Sequence, residues 1–175
     1  MHPIEPFLAL AAPHGLAFDQ PGGVFRVPLS GAFAYHSAMK LVGVTTGFCL
    51  LRAALADLPT PARESIAIES GHPGSGMEDT FEYFTRCLSG GRYRRRAFAT
   101  GLRIPGAEGV FRWRITVGAV VRDLTLRAEV VPSVLFTAVA PGGEAERLAY
   151  QQRVAAAMLA AEPMAAFDTV AEGTA

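Results

Sequence analysis

The sequence predicts an α+β fold in one domain spanning residues 1–175, with helices packed on one face of a mainly antiparallel sheet. Three observations carry that prediction. Helical and strand patterns are mixed along the chain rather than strictly alternating. Strand-like runs after residue 92 place arginines on one side and apolar residues on the other, as in a sheet with one wet face. Half of the 175 residues are hydrophobic and 18% are charged, which is enough apolar surface for one core without disulfides.

The elements follow in order. Pro3 and Pro13 bracket a short helix. Residues 14–34 are rich in Gly and Pro, and Val24-Phe25-Arg26-Val27 alternates as one strand. From Tyr35 to Leu58 the pattern is helical. Leu41, Val44, Phe48, Leu51 and Leu55 recur at spacings of three and four, forming one apolar face. Gly43 and Gly47 lie four apart on that helix, which points to close approach by another backbone. Pro59 and Pro61 end it. Ser65 to Glu69 reads as a strand, followed by the loop Gly71-His72-Pro73-Gly74-Ser75-Gly76. Met77 to Leu88 is a helix with Met77, Phe81, Phe84 and Leu88 on one face, stopped by Gly90-Gly91.

The second half is richer in strands. Arg92 to Thr100 alternates in part, and Val110 to Val117 and Leu124 to Val131 alternate well. Pro141-Gly142-Gly143 is a turn. Glu144 to Ala161 is an Ala-rich helix whose Glu144, Glu146, Arg147, Gln151, Gln152 and Arg153 keep one face wet. Pro163 to Asp168 reads as one more turn.

Charge narrows the function classes. Sixteen basic and sixteen acidic residues cancel, which argues against a protein that coats nucleic acid. The single basic run, Arg92-Tyr93-Arg94-Arg95-Arg96, is expected to be a solvated strand edge protected from edge-to-edge pairing. No nucleic-acid and no membrane partner is expected. The first residues lack the basic-then-apolar pattern of a secretory signal. No apolar run reaches the ~18 residues that span a bilayer, so a cytoplasmic location is expected. Cys49 and Cys87 lie far apart in helical segments and form no C-x-x-C pair, so both are read as buried, inert thiols.

His72 is the leading chemical candidate, because it sits in a small-residue loop between a strand and a helix. Its imidazole suits a divalent metal or acid–base work. His36, at the start of the long helix, is the second. His36 and His72 as metal ligands, completed by Glu78 or Asp79, make a three-ligand site for an ion such as zinc. Gly74-Ser75-Gly76 before a helix resembles an anion cradle. Against a phosphate stand Glu78 and Asp79 in the first turn, leaving a small carboxylate or a neutral polar molecule. Ser75, Asp79 and Lys40 are the ligand-binding candidates. Lys40 is the only lysine in the chain and lies one helical turn after His36.

Two segments, Phe33 to Phe48 and Gly71 to Thr85, resemble the core domain of the FmdE-like family, which takes its name from a component of formylmethanofuran dehydrogenase. The resemblance rests on Gly43-x-x-x-Gly47, on Asp79-Thr80-Phe81-Glu82-Tyr83-Phe84-Thr85 and on the tail Ala161 to Asp168. It implies an α+β domain that binds a divalent metal or a small polar ligand near His36 and His72. The family's thiols are missing: His36 to Val42 holds no cysteine or proline, Gly76 stands where a cysteine would, and no cysteine follows Cys87. The competing expectation is a non-catalytic homodimeric binding protein, an accessory to others, with the glycine-bearing helix at its interface.

Overall fold

A computed structural model describes residues 5–36, 41–136 and 143–170. The order is α1 (Glu5–Ala11), β1 (Gly15–Gln20), β2 (Gly23–Pro28), α2 (Leu29–His36), α3 (Leu41–Leu55) and a 3-10 turn (Arg63–Ser65). Then come β3 (Ile66–Ser70), α4 (Ser75–Thr85), β4 (Tyr93–Arg95), β5 (Arg112–Val117) and β6 (Val120–Leu126). A second 3-10 turn (Ser133–Phe136), α5 (Gly143–Ala160) and β7 (Phe167–Thr169) complete the fold. The α+β class is as expected.

β1 and β2 form a hairpin of their own, and the main sheet has the order β4-β3-β5-β6-β7. Every pairing in it is antiparallel except β3 with β4, because α4 carries the chain across between them. Strand alternation sorts the side chains. Ile66, Ile68, Trp113, Ile115, Leu124 and Phe167 are buried in the core that the sheet shares with the helices. α3 is buried on almost every side and touches α2, α4 and α5, which makes it the central helix.

The opposite sheet face is not simply wet. Register places Arg114 opposite Asp123, and Arg112 two pairs away on the same face. The Asp123 carboxylate is only 3% exposed. It accepts bonds from Arg112 Nε (2.7 Å), Arg112 Nη2 (2.8 Å) and Arg114 Nη2 (3.0 Å). Burial raises the Asp123 pKa, but the two guanidiniums outweigh it and hold the group below its ordinary value. Phe98 lies under the guanidiniums of Arg96 and Arg112, at 5.1 and 5.0 Å. At the β4 edge, Arg94 and Arg96 pair with Glu69, and Arg95 pairs with Glu78. Arg94, Arg95 and Arg96 of the basic run are thus tied to carboxylates.

The α3 glycines meet another backbone, as expected. A Cβ on Gly43 would lie 3.4 Å from Gly76 Cα, and one on Gly47 would lie 3.0 Å from Thr80 Cβ. That partner is α4 of the same chain, so the interface these glycines serve is internal.

Several boundaries differ from expectation. Within the span expected as a helix from Tyr35 to Leu58, the described residues hold the end of α2, already under way at Leu29, and α3 as far as Leu55, with residues 37–40 outside the described set. Residues 14–34 hold two strands, turned by Gly22 and Gly23 at φ 106° and 120°. α4 stops at Arg86, not at Gly90, because Arg86 takes the left-handed conformation (φ 52°) and donates its N–H to Glu82 O. β6 begins at Val120, since Gly118 (φ 56°) makes a tight hairpin with β5. The expected last turn leads into β7, which pairs with β6. Gly143 opens α5, while Pro141 and Gly142 lie outside the described residues.

Candidate functional site

A cavity of about 550 Å³ opens where the first turns of α3 and α4 meet the loop 106–111, residues 131–136 and α5. Two helix starts face it. In α4, Gly74 is the N-cap and supplies no side-chain cap, while its carbonyl accepts from Met77 and Glu78. Geometry therefore leaves the Ser75 and Gly76 amides without an intrahelical acceptor. In α3, the Leu41 N–H donates to the side chain of Gln151 from α5 (3.0 Å), as an orphan first-turn amide does. Val42 and Gly43 follow it along the cavity wall. The Gly43–Gly76 contact is what lets the two helix starts lie side by side.

His72 forms one flank. Its loop is held by Ser70 Oγ, which donates to His72 O at 2.8 Å. Its ring stacks on Phe111 at 4.1 Å and 21°. Nδ1 lies 2.7 Å from Glu108 O, and a carbonyl only accepts. Nδ1 therefore carries the proton, and in the neutral ring Nε2 carries the lone pair. A Cβ at Gly74 would lie 2.5 Å from that Nε2, so a side chain there would displace the imidazole. On the far wall Arg147 donates to Leu135 O at 3.1 Å, and Leu135, Phe136, Val131 and Met77 make an apolar body.

Of the residues expected at the site, His72 and Ser75 line the cavity and Ser75 is exposed. Lys40 lies outside the described residues. His36 and Asp79 form a pair of their own: Nδ1 of His36 is 2.6 Å from Asp79 Oδ2. The His36 side chain is 1% exposed, and its Nε2 is buried without a hydrogen-bond partner among the described residues. Neither residue lines the cavity. The joint pocket expected of His36 and His72 is thus divided, because His36 is drawn to Asp79 on α4 while His72 is drawn to Glu108 and Phe111. Glu78 accepts from Tyr93 Oη (2.7 Å) and Arg95 Nε (2.9 Å). Glu78 and Asp79 are therefore both held by partners of their own, and neither lines the cavity. Among the described residues, no three His, Cys, Asp or Glu come together as a metal would need.

Arg147, Gln151, Phe111 and Phe136 were not expected at the site. Arg147 and Gln151 lie four apart on the polar face of α5, the one sequence signal that marks them. Both cysteines are buried. Burial pushes Cys49 up to about 12 and Cys87 up to about 11. Cys87 sits just beyond α4 rather than within it. No described helix is long and apolar enough to cross a membrane. Comparison with family models, curated proteins and solved structures returns no match. What the cavity does must be read from its own chemistry.

Proposed function

We propose that this cavity binds a small organic anion: a carboxylate head joined to an apolar, aromatic or branched body. The observation that carries this reading is the meeting of two helix starts at one cavity, fused by the Gly43–Gly76 contact. A helix N-terminus presents about half a positive charge, and that of α4 adds the unbonded Ser75 and Gly76 amides. The carboxylate would accept from the Ser75 and Gly76 amides. Arg147 would balance charge from the opposite wall. The apolar body would lie against Phe111, Leu135 and Phe136. A volume of about 550 Å³ suits a molecule of that size. The chain would act by binding.

The divalent-metal reading draws less support, because His72 is the one histidine that lines the cavity among the described residues. The homodimer reading rested on the glycine-bearing helix, and those glycines already face α4.

Isothermal titration with benzoate, methyl benzoate and zinc separates the possibilities. The acid should bind and its neutral ester should not, and Arg147→Gln should weaken the acid by about tenfold. Equal binding of acid and ester, or neither binding, would overturn the reading. Zinc binding lost in His72→Ala, with no response to benzoate, would put the metal in its place.

A further inference from the structure

A second cavity, of about 460 Å³, lies at the other end of α4. It is walled by the β1–β2 turn with Pro21, by Phe25, and by three arginines: Arg63, Arg86 and Arg92. Among the described residues, none of the three forms an ion pair, although most arginines of the sheet do. Arg63 and Arg92 bond to backbone carbonyls instead. Arg63 donates from Nε to Phe84 O (2.6 Å) and from Nη2 to Tyr83 O. Arg92 donates to the carbonyls of Arg63, Ile66, Thr85 and Arg86. Those bonds occupy all four terminal N–H groups of Arg92. Arg63 keeps both Nη1 hydrogens and one on Nη2, and Arg86 makes no side-chain hydrogen bond among the described residues.

Two further features single out this corner. The Arg63 guanidinium is clamped over the rings of Phe18 and Phe25 at 5.7 and 5.8 Å, so its orientation is fixed before anything binds. Arg86 is the one non-glycine residue with positive φ among those described, at 52°. An ordinary helix stop would use glycine there, and an arginine bears a backbone cost that calls for a reason. Burial and then the nearby Arg86 charge weaken the hold of Arg63 on its proton, against the opposing pull of Glu82 and Glu64. Two like charges kept close, one of them partly desolvated, favour an anion between them.

We infer that Arg63 and Arg86 form a binding site for a tetrahedral oxyanion, the phosphate of inorganic phosphate or of a phosphomonoester, with any organic portion against Pro21 and Phe25. The forked, preset guanidinium of Arg63 suits the oxygens of one face, and the long arm of Arg86 closes over the other. Asp19 and Glu64 also line the cavity, so the anion would sit on the arginine side of it. This site is separate from the carboxylate cavity and stands or falls without it.

The test is isothermal titration of the full chain with inorganic phosphate, methyl phosphate and acetate. It is repeated on Arg86→Gln and Arg86→Gly. Both variants keep the Arg63 cap intact, and Arg86→Gly also relieves the left-handed backbone and should melt higher. Phosphate should bind about tenfold more weakly to both variants, and acetate should not bind here. Tighter binding of methyl phosphate than of phosphate would identify the ester as the natural form. Arg147→Gln should leave phosphate binding unchanged. Absence of phosphate binding, equal binding in the variants, or acetate bound as strongly as phosphate at the same residues would overturn the inference.

Discussion

At its N-terminal end α4 leaves the Ser75 and Gly76 amides without a side-chain cap and beside a cavity. At its C-terminal end the carbonyls of Tyr83, Phe84, Thr85 and Arg86 are taken by Arg63 and Arg92. Glu82 reaches past the same end to the N–H groups of Leu88 and Ser89. One helix thus has a bare end and an over-supplied end. The difference teaches where a fold can accept a ligand. Donors with no partner inside the protein await an acceptor from outside it, whereas bonded carbonyls serve stability. Only the donors left over at the second end remain for binding.

The largest effect should come from breaking the supplied end. Arg63→Ala removes two charge-assisted bonds and the clamp on Phe18 and Phe25, and should cost about 3 kcal/mol or more in urea unfolding. Next is the seam that joins the two helix starts. Gly47→Val places a branched side chain where Thr80 and Met77 already touch, and should cost about 1–3 kcal/mol by the same measurement. The bare end should respond in the opposite direction. Ser75→Asp adds a negative charge to the first turn and should stabilise the chain by about 0.3–1 kcal/mol. The same change should abolish benzoate binding in calorimetry, because it puts a carboxylate where the ligand's would lie.

Acid titration brings in the far sheet face. Asp123 has a folded pKa below its ordinary 3.8, so the unfolded chain takes up its proton first as pH falls. Its contribution is therefore complete above the ordinary value and is lost as pH drops through the lower folded value. Thermal melts from pH 7 to 2 should show that loss only at the acid end, and Asp123→Asn should flatten it while lowering stability throughout. The smallest effect is a null one. With thiols raised to about 12 and 11, Cys49 and Cys87 should resist iodoacetamide at about pH 8 until the chain is unfolded. Mass spectrometry with and without urea checks this.

Much of the fold is legible from periodicity where burial is one-sided or complete. α3, α4, β3, β5 and α5 fall close to their expected positions because their apolar spacing matches one period. β1, α2 and β7 escape for local reasons. β1 runs into Pro21-Gly22-Gly23, α2 runs straight on from β2 at Pro28, and β7 is three residues long and depends on β6 for its pairing. The site is half legible. His72, Ser75 and the Gly43–Gly47 spacing announce themselves locally. Arg147, Gln151 and Phe136 reach the cavity through tertiary packing, and no spacing near His72 points to them. The pairing of His36 with Asp79 is likewise a contact across 43 positions that no local pattern encodes.

Trp113 is the chain's single tryptophan and is fully buried. Phe167 of β7 meets its ring edge-on at 6.3 Å, and Phe111 meets it at 6.1 Å. Phe111 in turn carries the stacked His72. The protein therefore contains its own optical reporter, wired by ring contacts to the cavity on one side and to the last strand on the other. Emission from this one indole can follow both the filling of the cavity and the docking of β7, without any label.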